Sequence, residues 1–227
     1  KKVGRTDAWK VRFALLLPHI VQKFKSLSTL EKILLLMTTI LFLSHLLITS
    51  YWPVYAWDAL AVYDLRARLI VEKGSIYEGL MTLNRFTTYG VGLPPLTTLA
   101  HTWIYLWGID NPQFIYSLLF ASFLGISYYF LREHCNVLCS LTFTLLVASS
   151  PVIFWGATIA YTNFPFSFYI GGGVLYLYRW MHRGTRGALT LAGLFFGLSS
   201  WVRAESHAFF LAAFIILIVY CLSRKLY

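Results

Sequence analysis

Acidic side chains are scarce in this chain: 9 Asp and Glu stand against 19 Lys and Arg in 227 residues. Charged residues of either sign make up only 12%, too few to coat a soluble domain of this size. Cysteine is limited to three positions, Cys135, Cys139 and Cys221, all in or beside apolar runs. That excludes a disulfide scaffold, and no Cys/His set around them completes a metal site. Small packed thiols are the expected role. No Gly-x-Gly-x-x-Gly follows a strand pattern, and neither a Walker loop nor His-Glu-x-x-His occurs, so the usual nucleotide-site and zinc-protease signatures are missing. The chain does not open on Met and shows no signal-peptide pattern. Its first apolar run is therefore expected to be retained, in a fragment or a processed chain.

What fills the sequence instead is apolar: 58% hydrophobic and 18% aromatic residues, with a mean hydropathy of +0.65. Such a composition predicts an all-α, polytopic integral membrane bundle. Seven apolar runs approach spanning length: Ile33–Trp52, Leu93–Trp107, Phe114–Leu131, Val137–Trp155, Phe164–Trp180, Ala188–Val202 and Ala208–Leu222. Several fall short of the ~20 residues that a helix needs to cross. The net charge of +10 is concentrated in residues 1–32, which hold Lys1, Lys2, Arg5, Lys10, Arg12, Lys23, Lys25 and Lys32. Basic flanks of a first span are what positive-inside topology produces, so a cytoplasmic segment is expected there rather than a nucleic-acid partner. Within it Trp9–Phe24 alternates basic and apolar groups and is expected to lie on the anionic leaflet. Residues 33–227 then form the transmembrane module.

Topology by charge leaves one conflict. Arg179, Arg183 and Arg186 also ask for the cytoplasm, yet five runs separate them from the N-terminal cluster. One short run must be re-entrant or merged with its neighbour, or the second cluster lies outside.

The segment 53–91 is the one long polar connection. It carries Asp58, Asp64, Glu72 and Glu78, and is placed on the extracytoplasmic side. Leu60, Tyr63, Ala67 and Ile70 recur at helical spacing, with Asp64, Arg68 and Glu72 on another face. That pattern predicts an amphipathic helix lying along the membrane surface, with Asp64 and Arg68 as a surface ion pair. Gly74 would end it, and Thr87-Thr88-Tyr89-Gly90 reads as a turn. Pro94-Pro95 suits the first turn of the next helix. Gly171-Gly172-Gly173 reads as close helix packing rather than a phosphate cradle.

Three polar groups interrupt the apolar sequence: Asp58 with Asp64, Arg66 and Arg68; Tyr161-Thr162-Asn163; and Arg203-Ala204-Glu205. For Asp58 two readings stand open, a helix N-cap and a functional carboxylate near bilayer depth. Arg203 and Glu205 are equally read as interface residues. Taken together, a carboxylate, arginines and a helical cavity suit a phosphate-linked lipid carrier. Arginine binds the phosphate and the carboxylate takes a hydroxyl proton. His45, His101 and His134 are lone histidines, expected to be packed rather than coordinating.

The order of these pieces resembles the GT-C glycosyltransferases that use polyprenyl-phosphate sugars. The branch concerned is that of the protein O-mannosyltransferases and aminoarabinose transferases. The resemblance rests on Trp57-Asp58-Ala59-Leu60 with Leu65-Arg66-Ala67-Arg68, on Leu93-Pro94-Pro95-Leu96, on Ser150-Pro151 with Tyr161-Thr162-Asn163-Phe164-Pro165, and on Gly197-Leu198 with Arg203-Ala204-Glu205. It covers about Trp52 to Phe210. It implies Asp58 as catalytic base, Arg203 near the carrier phosphate with Glu205 orienting it or facing the cavity, Arg66 and Arg68 as weaker carrier contacts, and Asn163 in the site. The partners implied are a lipid-linked sugar and a lipid, protein or glycan acceptor. Relatives often have Asp where this chain has Asn163, and they are longer. No cofactor is implied, and a divalent metal has no ligand set to hold it. The competing readings are a non-catalytic subunit or degenerate paralogue, and a transporter, against which the lack of paired hydrophobic halves counts.

Overall fold

The structure, a computed structural model, describes Pro18 and residues 21–79 and 93–225. Most of the basic N-terminal segment, most of Trp9–Phe24 and the turn at Thr87–Gly90 lie outside the described residues. Among the described residues every regular element is helical.

Helix α1 (Thr29–Tyr51) starts in a capping box, Ser28-Thr29-Leu30-Glu31. The Glu31 carboxylate accepts from Ser28 N at 2.8 Å, and Ser28 Oγ accepts from Glu31 N at 3.3 Å. Its outer surface is apolar, with Leu36, Met37, Ile40, Leu43 and Leu47 exposed, whereas His45 and Thr49 are fully buried. This inside-out distribution is what a helix facing lipid requires. After Pro53 comes a π-helical stretch, Ala59–Asp64, which continues into α2 (Leu65–Lys73). Gly74, with φ of 63°, ends α2 in the left-handed conformation. Helix α3 (Leu96–Leu106) begins directly after Pro95.

The remaining helices are α4 (Ile115–His134), led by a 3-10 turn at Pro112–Phe114; α5 (Val137–Ser149); α6 (Pro151–Thr158); α7 (Asn163–Arg183); α8 (Arg186–Val202); and α9 (Ser206–Lys225). Pro151 cannot continue the ladder of α5, and the two helices meet there at 60°. Among the described residues three helices can cross a membrane by length and composition, α1, α4 with its leading turn, and α9; a fourth is added if α5 and α6 form one broken span. The protein is thus a helical membrane protein.

Contacts fix the direction of each helix. His45 and Thr49 on α1 reach Ser117 on α4, at 2.8 and 2.6 Å, while His45 also stacks on Phe120, one turn further along. Rising numbers meet falling ones, so α1 and α4 are antiparallel. Phe120 meets Phe164, and Phe130 meets Tyr176, so α7 runs with α4. Gly172 and Gly173 pack on Phe195 and Phe196, while Arg203 reaches Asn163; α8 therefore returns. Phe209 meets Phe166, and Tyr220 meets Trp180, so α9 descends again. The expected close approach at the glycine run holds for Gly172 and Gly173, while Gly171 faces open space.

Two consequences follow for charge. Lys23, Lys25, Lys32, Arg132, Arg179, Arg183, Arg186 and Arg224 gather at one end, where Glu133 lies 3.2 Å from both Arg179 and Arg183. Asp58, Asp64, Asp110, Arg203 and Glu205 lie at the other. Asn111 Nδ2 donates to the carbonyls of Thr49, Ser50 and Trp52, each at 3.1 Å. The chain therefore leaves α1 and enters α4 at the same end. The described residues of both basic clusters thus lie at one end of the bundle. With 11 residues α3 is about 16 Å long, roughly half a hydrocarbon core.

The surface-lying amphipathic helix needs correction. Asp64 is 3% exposed and Arg66 is 4%, while Leu60 from the expected apolar face is exposed. Tyr63, Ala67 and Ile70 are buried as expected and Asp64 pairs with Arg68, but the segment packs against α3, so a second face is covered as well.

Candidate functional site

A cavity of about 410 Å³ opens at the acidic end of the bundle. Four segments form it. Asp58, Val62 and Tyr63 come from the π-helical stretch and the residue before it; Leu93 comes from the approach to α3; Tyr161, Thr162 and Asn163 form the start of α7; and Val202, Arg203, Ala204 and Glu205 form the link from α8 to α9. Of the three polar interruptions of the sequence, the second and third line the cavity whole, and the first contributes Asp58 alone.

Asp58 occupies the N-cap position, yet its side chain makes no capping hydrogen bond. Its carboxylate borders the cavity, half-buried. The capping reading is therefore set aside. Tyr63 Oη lies 3.4 Å from Thr162 Oγ1, which ties the π-helical wall to the α7 wall.

Arg203 sits in extended backbone, φ −148° and ψ 142°, where α8 has stopped and α9 has not begun. That break lets its side chain turn back over the start of α7. Nη1 donates to Asn163 Oδ1 at 2.5 Å, Nη2 to Glu205 Oε1 at 2.8 Å and Nε to Glu205 Oε2 at 3.3 Å. The guanidinium also lies 5.6 Å from the Phe166 ring centroid. Hydrogen bonding from Arg203 holds the Glu205 carboxyl below its ordinary range, and the same bonds raise the Arg203 pKa. Two terminal N–H groups of the guanidinium remain for a ligand, one on each Nη.

Arg66 and Arg68 do not border this cavity. Arg66 is buried, and burial lowers its pKa. Arg68 is bound to Asp64, Nε to Oδ2 at 2.9 Å. Sequence reading put both beside the carrier, but they lie on another side.

Asp64 belongs to a second polar cluster that the sequence reading missed. Its Oδ1 accepts from the Tyr105 hydroxyl and lies 3.5 Å from His101 Nδ1. That last separation is long for a hydrogen bond and stands as an electrostatic contact. His101 Nε2 is 3.3 Å from Tyr116 Oη, and the Arg68 guanidinium lies 4.7 Å from the Tyr105 ring centroid. Burial alone would raise the Asp64 pKa; the nearby His101 and the hydrogen bonds from Tyr105 and Arg68 outweigh it and bring the carboxyl below its ordinary value. The signal was present as His101 and Tyr105 one turn apart in an apolar run. His101 is therefore more than a packed histidine. His45 is packed as expected, stacked on Phe120 at 4.4 Å.

Val202 also lines a smaller apolar hollow of about 90 Å³ with Leu96, Leu119, Pro165 and Tyr169. The polar cavity thus adjoins an apolar one leading in among α3, α4, α7 and α8. Among the described residues no three His, Cys, Asp or Glu side chains group as a metal site. No family model, curated protein or solved structure matches the chain.

Proposed function

We propose that the protein is a membrane glycosyltransferase of the GT-C type, moving a sugar from a polyprenyl phosphate to an acceptor hydroxyl. One observation carries the reading: Asp58, Asn163, Arg203 and Glu205, far apart in sequence, border one cavity.

Asp58 takes the proton of the acceptor hydroxyl as its oxygen bonds to the anomeric carbon. The bond from that carbon to the phosphate oxygen breaks, and the lipid phosphate leaves with the electron pair. Arg203, oriented by Glu205 and Asn163, offers its remaining N–H groups to the phosphate. In this reading α7 and α8, less apolar or shorter than the four candidate spans, cross packed against them, which makes six crossings with α3 re-entrant from the outer face. Because basic residues gather at the opposite end, the cavity faces the extracytoplasmic or lumenal side.

The test is transfer by the purified full-length protein in liposomes with lipid-linked sugar, against Asp58→Asn. The variant should lose at least about a hundredfold in kcat, the usual contribution of a positioned base. Undiminished transfer would remove Asp58 from the mechanism.

A non-catalytic subunit is favoured by one specific observation: Arg203 already shares its charge with Glu205 and Asn163. A phosphate must compete for it. Absence of binding to a lipid-phosphate analogue, with a partner subunit co-purifying, would support that reading.

A further inference from the structure

The π-helical winding of Ala59–Asp64 is a rare form that persists where its surroundings impose it. It also has a directional consequence. Rewinding the stretch as an α-helix would remove one residue from the turn and rotate everything before it by about 100° relative to α2. Asp58 and Tyr63 would then no longer share the cavity.

Asp64 stands where the winding reverts to α-helical. Its side chain is 4% exposed, and a carboxylate so buried is tolerated only when donors meet it. Those donors come from two helices, Arg68 on α2 and Tyr105 on α3, and His101, one turn from Tyr105, adds an electrostatic contact at 3.5 Å. His101 is in turn tied to Tyr116 on α4. The grip therefore fastens one end of the π-helical stretch to three helices, while Asp58 stands at the other end.

We propose that Asp64 is a positioning residue for the cavity: held by Tyr105, Arg68 and His101, it maintains the π-helical winding that turns Asp58 and Tyr63 toward the ligand. Its catalytic consequence rests on the reading of Asp58 as a base, but its structural part does not.

The experiment uses the full chain in detergent, with the native cysteines Cys135, Cys139 and Cys221 replaced by serine. Asp58→Cys reports on the π-helical wall, and Tyr161→Cys on another wall of the same cavity. Alkylation of each by a water-soluble maleimide is timed alone, with Tyr105→Phe, and with Asp64→Asn. Tyr105→Phe keeps the ring beneath Arg68, so it remains informative should Asp64→Asn fail to fold. The expected result is a severalfold change of rate at position 58, with position 161 unaffected. An unchanged rate at 58, or an equal change at both positions, overturns the proposal.

Where the wild type transfers sugar, Tyr105→Phe should lower kcat by roughly a hundredfold, the effect of a misplaced reacting group, while KM for the lipid-linked donor stays within about twofold. A rise in KM with kcat intact overturns the positioning role. Should the wild type transfer nothing, the glycosyl-transfer reading fails, and the alkylation rates still decide whether Asp64 sets the winding.

Discussion

Arg203 donates from Nη1 to Asn163 Oδ1 at 2.5 Å, joining the end of α8 to the beginning of α7 across the mouth of the cavity. With Glu205 on its other edge, the arginine is oriented and its charge is matched by a single carboxylate, since the Asn163 amide oxygen carries none. An aspartate at position 163 would change that balance and leave the geometry alone.

Asn163→Asp should therefore weaken binding of a phosphate-bearing ligand. KM for a lipid-phosphate donor should rise roughly two- to fivefold, the range of a partly exposed ion pair. Titration with a lipid-phosphate analogue measures the same effect without turnover. Equal affinity in the two proteins would show that Arg203 does not meet the phosphate.

The Asp64 cluster makes a prediction about pH. Its carboxyl lies below the ordinary value in the folded protein, so its contribution to stability is present above the unfolded pKa of about 3.9 and fades as pH falls below that. Asp64→Asn should be clearly less stable than wild type at neutral pH, and the gap should close in acid. Thermal unfolding in detergent between pH 3 and 7 (a conventional range, roughly spanning carboxyl titration) measures it. A gap independent of pH would mean that packing, not charge, is lost.

Gly172 and Gly171 should behave differently despite being neighbours. A Cβ on Gly172 would lie 2.4 Å from the Phe195 ring, whereas one on Gly171 meets nothing within 4 Å. Phe195 has little room to yield, being packed among Phe168, Tyr169 and Tyr176. Gly172→Ala should cost about 1–3 kcal/mol through overpacking. Gly171→Ala should be neutral or slightly stabilising, since glycine inside a helix costs about 0.5–1 kcal/mol relative to alanine. Denaturant titration of the two variants side by side checks the pair.

Side of the membrane can be read by thiol labelling. In a background lacking native cysteines, a membrane-impermeant reagent on intact cells should modify Asp110→Cys. It should spare Arg186→Cys until the membrane is opened. The reverse pattern is what a crossing α3 would produce with the N-terminus inside, and it would refute the re-entrant arrangement.

Sequence alone made the helical class and the three polar interruptions legible, because composition and hydropathy report solvent preference directly. Asp58 could be singled out, since a carboxylate beside an apolar run is costly. What periodicity could not carry was the side on which each residue after it would fall. The expected apolar face held at Tyr63, Ala67 and Ile70, but the burial extends past it to Asp64 and Arg66, which no apolar pattern marks. The charge conflict had likewise been visible as a counting problem. Its solution needed a tertiary contact, the amide of Asn111 on the carbonyls after Ile48.

That amide has one more implication. Because it brings the exit from α1 and the entrance to α4 together, everything from Pro53 to Asp110 is an excursion with a common door. Such a detour can grow, shrink or trade helices without inverting the orientation of anything downstream, which makes it the part of the molecule freest to be remodelled for a new ligand.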